Sequence, residues 1–304
     1  MNLTEKNLSS SDSQANEQNN CDAHIRTEQI INDCEKEKPT GWAGLAFGSI
    51  ITYFAVMFTT SLLLAIPLSM SMDISQGAGA ANFLYAVQIL AGIITIVIVY
   101  LIMKAGGDFK LRFHSESKTI KSNIGQILII FVAFLFAQAT VGVLISSIIN
   151  AEEAAANQIR AIAGGNAFLS VFSVCIIAPI CEEVVCRGGV YGGLKKKIKT
   201  IPAAIISSIV FGLIHFNGWI SLVMFFMGLI LCALYEATDN LLFPISFHML
   251  NNVVALLSGY YGISLLLPNN YIFICAILFV SVVAVIFSCK KILESSASKK
   301  ETDE

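Results

Sequence analysis

Apolar residues gather along this chain in eight blocks, at about positions 42–70, 81–103, 124–149, 167–190, 201–217, 219–236, 241–259 and 271–289. A bilayer core about 30 Å thick needs roughly 20 apolar residues per helix. The pattern therefore predicts an all-α polytopic bundle of about eight transmembrane helices. The fifth block is short, and only the bend at Asn217-Gly218 divides it from the sixth. Pro202 falls at the first turn of its predicted helix, where no backbone donor is lost. Pro179 and Pro244 lie inside or near the starts of blocks that carry polar residues. A proline there kinks the helix and frees a carbonyl, which membranes tolerate mainly beside protein or a wet cavity.

Composition agrees with the pattern. The 304 residues are 56% hydrophobic and 13% charged, where soluble domains run at about 45–50% and about 25%. A net charge of −2 excludes nucleic acid as a partner, since that role needs a basic surface. Residues 1–40 depart from the rest, with eight acids against four bases and many Asn, Gln and Ser. Such a segment buries too little apolar surface to offset its ordering entropy, so a disordered tail is expected. Neither a cleavable signal peptide nor a prenylation box is expected at the ends. The eight cysteines form no CxxC pair and are expected to be reduced packing residues.

Charge sets the orientation. Seventeen of the nineteen Lys and Arg residues precede the first block, lie between the second and third, follow the fourth or follow the eighth. The opposite side has only Arg160, and Arg187 is inside a block. The positive-inside rule then places both termini in the cytoplasm of a multi-pass cell-membrane protein. An odd number of spans would break this alternation.

Against that background the fourth block is anomalous, because it holds Glu182, Glu183 and Arg187. Each ionisable side chain costs roughly 2.5–3.5 kcal/mol at the centre of a membrane helix on insertion scales. Glu183 and Arg187 are spaced i, i+4 with the acid first, the favourable order for an ion pair. Glu182 points about 100° away and must find its partner elsewhere, so Glu183 is expected to be structural and Glu182 chemical. The fifth block carries Phe211-Gly-Leu-Ile-His215 and the seventh His248-Met-Leu-Asn251-Asn252. His248 and Asn252 share a helix face, which makes Asn252 the better candidate than Asn251. Counting about 1.5 Å per residue from the block ends, Glu182 and His215 lie roughly 20 Å deep and Asn252 roughly 17 Å. Three separate segments thus place polar groups in one layer. Gln88, Gln126, Gln138, Glu236 and Asp239 show no such convergence and are expected to be packing or interfacial residues.

These motifs, Glu182-Glu183-x-x-x-Arg187, Phe211-x-x-x-His215 and His248-x-x-x-Asn252, resemble in order and spacing the CPBP family of intramembrane proteases. That family includes type II CAAX-processing proteases, lysostaphin-resistance-like proteins and proteins linked to bacteriocin processing or self-immunity. The resemblance covers roughly residues 167–258. It implies a catalytic core at 167–260, after a first set of three helices and loops at 41–166 and before a last helix and tail at 261–304. It also implies a multi-helix bundle around a polar, water-accessible intramembrane cavity. By the resemblance, Glu182 and His215 activate a water, while His248 and Asn252 stabilise the oxyanion. Glu183, Arg187 and Phe211 support them. His24 and His114 match no motif.

The reaction so implied is endopeptidase cleavage of a peptide or membrane-protein substrate. Glutamate-dependent catalysis requires no cofactor. A metalloendopeptidase-like variant would instead use His215, His248 and Glu182 as a His₂Glu zinc site. Two other functions compete: a non-hydrolytic bacteriocin-immunity or scaffold protein on the same fold, and a proton-coupled transporter using Glu182 and the histidines as a relay. Intact motifs weigh against the first. The lack of internal repeats weighs against the second.

Overall fold

A computed structural model describes residues 42–70, 78–105, 113, 117–149, 165–215, 218–261 and 270–303. The expected tail at 1–40, His24, His114, Arg160, Asn217, Cys21 and Cys34 lie outside these residues. Among the described residues all regular structure is helical, in eight helices. These are α1 (Trp42–Met70), α2 (Ala78–Ala105), α3 (Ser117–Ile149), α4 (Ala167–Leu194), α5 (Thr200–Leu213), α6 (Gly218–Thr238), α7 (Leu242–Tyr261) and α8 (Tyr271–Asp303).

The eight expected apolar blocks coincide with these helices, but only some of them qualify as membrane spans. Five of them (α2, α3, α4, α6 and α8) are long and apolar enough to cross a bilayer, while α1, α5 and α7 contain shorter apolar stretches. At 14 residues, α5 is about 21 Å long, so it ends within a bilayer-thick layer and leaves His215 in the turn that follows it.

Of the five long apolar helices α4 is the most enclosed: half of its most apolar window is buried, against 17% for α8. It is also irregular. Two π-helical segments, Val171–Ile177 and Val184–Tyr191, flank a short α-helical one, Ala178–Glu183. Pro179 enters at the first π-to-α junction. Ala178 N–H still bonds to Ser173 O in the wider i→i−5 pattern, and the next donor in that series would be the N–H that proline lacks. Its acceptor would be Val174 O. Asn252 Nδ2 on α7 donates to that carbonyl at 2.9 Å, so a side chain from another helix satisfies the group the proline frees. Pro244 is in the first turn of α7, where no intrahelical bond is lost.

Small residues set the close contacts around α4, as is usual between membrane helices. A β-carbon on Gly189 would collide with Ser49 of α1, and one on Gly92 of α2 would strike Ile177 and lie 3.9 Å from Cys181 Cβ. Leu45 and Ser49 meet Gly189, whereas Gln88 accepts from Ser173 at 2.8 Å and Gly92 meets Ile177. The paired contacts of Gln88 with Ser173 and of Gly92 with Ile177 make α2 run parallel to α4. Gly228 on α6 lies against Ser208, and Gly212 against Ser221 O and Phe225, which closes α5 and α6 into a tight hairpin.

A short turn then reverses the chain into α7. Asp239 takes φ 49°, a left-handed conformation that Asp accepts more readily than most residues. Asn240 Oδ1 accepts Leu242 N at 2.9 Å, capping the start of α7. At the edge of the bundle α3 and α8 line an apolar groove that includes Leu128, Val132, Phe136 and Val280.

Candidate active site

Two charged residues of α4, Glu183 and Arg187, are wholly buried. Arg187 Nη1 donates to Glu183 Oε1 at 2.9 Å, and both side chains are 0% exposed. Arg187 Nη2 donates to Gly228 O on α6 at 2.9 Å, and its guanidinium carbon lies 4.4 Å from the centre of the Phe211 ring on α5. One cation therefore ties α4, α5 and α6 together. A buried charge is tolerated when its hydrogen bonds and counter-charge are supplied together.

Glu183 does more than neutralise Arg187. The same oxygen, Oε1, accepts from His248 Nδ1 on α7 at 3.1 Å. A carboxylate holding an arginine acts as an acceptor, so Nδ1 carries the proton and Nε2 is turned the other way. The local i, i+4 spacing revealed the first contact. No local signal could reveal the second, because the partners are 65 residues apart.

His248 Nε2 lies 3.8 Å from Glu182 Oε2, and His215 Nε2 lies 3.8 Å from the same oxygen. His215 Nδ1 donates to Phe211 O at 2.8 Å, one turn back, so its Nε2 also faces the carboxylate without a hydrogen when the ring is neutral. Phe211 packs edge-on against both imidazoles, with ring centres 5.2 Å from His215 and 5.3 Å from His248. The Phe-x-x-x-His spacing is thereby explained: one residue supplies a carbonyl for one histidine and a ring wall for both.

Glu182 contrasts with its neighbour. It is 14% exposed, and its Oε2 has no hydrogen-bond partner among the described residues. A gap of 3.8 Å is too long for a direct hydrogen bond. It suits three groups sharing one small polar atom, such as a water oxygen, at ordinary distances from each. Among the described residues no group of three or more His, Cys, Asp or Glu side chains is arranged to hold a metal ion.

The asparagines of α7 are both engaged. Asn251 Oδ1 accepts Gln138 Nε2 of α3 at 3.1 Å, while Asn252 reaches Val174 O. Gln88, Gln138 and Glu236 serve packing, as expected: Gln88 bonds Ser173, and Glu236 accepts from Tyr191 at 2.7 Å and from Lys195. The described cysteines are free thiols, four of them buried.

Sequence comparison, rather than the site geometry, places this chain with the CAAX prenyl protease Rce1-like (CPBP) family of membrane peptidases. Residues 164–254 match the family described as type II CAAX prenyl endopeptidase Rce1-like. The chain is 28% identical over 213 residues to YdiL of Bacillus subtilis (strain 168), whose membrane-peptidase assignment is itself provisional; the match spans 67% of this chain and 84% of YdiL. It is 29% identical over 180 residues to the membrane-embedded CAAX protease MroQ of Staphylococcus aureus (strain USA300), spanning 57% of this chain and 72% of MroQ. No solved structure matches significantly. The chain is accordingly a multi-pass membrane protein and an endopeptidase of the CAAX protease family.

Proposed function

We propose that this protein hydrolyses a peptide bond within the membrane by a glutamate-dependent mechanism centred on Glu182. The observation that carries this reading is the shared 3.8 Å spacing of Glu182 Oε2 from His215 Nε2 and His248 Nε2. Oε2 and His215 Nε2 present lone pairs to one point, where a water would donate both hydrogens and direct its oxygen outward to attack a carbonyl. Glu182 takes the proton as the tetrahedral intermediate forms.

His248 supplies the opposite polarity. With Nδ1–H held by Glu183, its Nε2 becomes a donor only when the ring is charged, and Glu183 is the counter-ion for that imidazolium. A charged His248 then stabilises the oxyanion or passes its proton to the departing amine. Asn252 is the second donor in this reading. One amide hydrogen meets Val174 O, which fixes the direction of the other. No metal takes part in the proposed cycle.

The substrate is a peptide or a segment of a membrane protein, reached within the bilayer. Nothing in the chain indicates a prenylated partner. In this reading both termini lie in the cytoplasm, which the loop charges support. The test is cleavage of a quenched fluorogenic peptide pool by the purified protein in detergent, with Glu182→Gln and EDTA arms. The expected result is activity that survives EDTA and falls about 10²–10⁴-fold in the variant. Loss of activity in EDTA with recovery on adding zinc would overturn it.

A further inference from the structure

The turn between α4 and α5 follows a helix of membrane-crossing length and carries Lys195, Lys196, Lys197 and Lys199. Its backbone is held by its own hydrogen bonds. Lys195 N–H bonds to Tyr191 O at 2.9 Å, and the N–H groups of Lys197 and Ile198 bond to Leu194 O at 2.9 and 3.0 Å. Ala203 N–H then bonds to Lys199 O at 3.1 Å, so the chain enters α5 at once. Lys195 is committed to the protein: its ammonium pairs with Glu236 of α6 and stands 5.4 Å from the centre of the Tyr191 ring. Tyr191 donates to the same Glu236 at 2.7 Å. These contacts clamp the turn against α6.

Lys197 and Lys199 are left uncompensated. Both are exposed, and neither pairs with a carboxylate among the described residues, whereas Lys195 has Glu236 and Lys290 of α8 has Glu294 at 3.7 Å. Directly beyond them α5 turns a line of apolar side chains outward. Ile201, Ile205, Ile209 and Leu213 recur every fourth residue, and all are exposed, Ile201 to 74%. Residues four apart share a helix face, so they form one stripe about 18 Å long. Ala203, Ser207, Ser208, Phe211 and Gly212 are the buried side of the same helix. One leaflet of a bilayer core is about 15 Å deep. Two unpaired cations at a membrane surface, continuous with an apolar stripe one leaflet long, match a lipid with a negative headgroup. A soluble anion would answer the lysines and leave the stripe unexplained, while a zwitterionic lipid would cover the stripe and leave the charges unanswered.

We propose that the α4–α5 turn and the outer face of α5 form a binding site for an anionic phospholipid. Lys197 and Lys199 hold the headgroup phosphate, and an acyl chain lies along the stripe from Ile201 toward Leu213. Lysine suits this place because its apolar stem follows the hydrocarbon while its ammonium stays at the surface. The site is independent of the proposed peptidase chemistry. It does touch the helix that supplies Phe211, so a bound lipid braces α5 on the one face that no other helix covers.

The experiment is native mass spectrometry of the full-length protein released from detergent micelles, titrated with dioleoyl phosphatidylglycerol or dioleoyl phosphatidylcholine. It compares wild type with Lys197→Gln/Lys199→Gln and with Lys290→Gln/Lys291→Gln, which loses the same charge elsewhere. Each lysine beside an anionic headgroup is worth about fivefold in affinity. The Kd of the tightest-bound phosphatidylglycerol should therefore rise about 25-fold in the first double variant and stay within about twofold in the second. Wild type should hold phosphatidylcholine at least about fivefold more weakly. A Kd within about twofold of wild type in Lys197→Gln/Lys199→Gln overturns the proposal, as does equal binding of the two lipids. Equal weakening in both double variants would mean diffuse surface charge rather than a site, and displacement of the lipid by equimolar glycerol phosphate would mean a soluble-anion site; either result also overturns it. Circular dichroism checks the fold of each variant. Should the first double variant not fold, the single substitutions should each raise Kd about fivefold, and an unmoved value in both is equally decisive.

Discussion

Replacing Arg187 with methionine removes one charge from the interior while leaving most of the side-chain volume. Arg187 and Glu183 are both 0% exposed, so the anion left behind cannot recover hydration. Its remaining contact is His248 Nδ1 at 3.1 Å. The substitution also deletes the bond to Gly228 O and the stacking over Phe211. Breaking a buried pair by removing one partner costs about 3–5 kcal/mol, because it leaves an uncompensated charge. Glu183→Gln should show a cost of the same kind, with Arg187 the orphan. In the double variant neither charge remains, so its loss should fall short of the summed single losses by at least about 1 kcal/mol, within the range of coupled neighbours. The assay is equilibrium unfolding in mixed detergent micelles, followed by far-ultraviolet circular dichroism, for all four members of the cycle. Additivity within about 0.5 kcal/mol, the behaviour of independent sites, would refute the idea that Arg187 is tolerated through Glu183. Peptidase activity gives a second check. Restored stability in the double variant should not restore cleavage, because His248 still lacks its anion.

Further outcomes follow from single contacts. Gly189→Ala should destabilise the protein by about 1–3 kcal/mol, the usual cost of overpacking, because its β-carbon meets Ser49; unfolding in detergent measures it, and Ser49→Gly should recover part of the loss. The two asparagines of α7 should separate in effect. Asn252→Ala should lower kcat about 10²–10³-fold, as loss of an oxyanion donor does, whereas Asn251→Ala should mainly cost about 1 kcal/mol of stability through its bond to Gln138. Cleavage kinetics and unfolding measured on both variants decide between them, and equal kinetic effects would remove Asn252 from its proposed place.

Much of this protein was legible in one dimension, for physical reasons. Hydrocarbon demands about 20 apolar residues per crossing, so the block pattern announced the helical bundle and its approximate boundaries. The cost of charge in that setting made Glu182, Glu183 and Arg187 conspicuous without any coordinates. Local helical spacing paired Glu183 with Arg187, and their contact at 2.9 Å depends on nothing more distant. Depth counting placed Glu182, His215 and the α7 motif in one layer, because rise per residue is nearly constant along a helix.

Tertiary structure decided what spacing along one helix cannot encode. Regular α-helical geometry gave no hint that two π segments interrupt α4, nor that Asn252 answers the carbonyl Pro179 frees. The second partner of Glu183 came from α7, and it determines which nitrogen of His248 bears a proton. Likewise α1 packs closely on α4 only because Gly189 leaves room for Ser49. Periodicity and charge act along a single helix and survive in the sequence. Rotation, close approach and hydrogen bonding between helices arise only when the chain packs, since they depend on pairs of residues far apart in number.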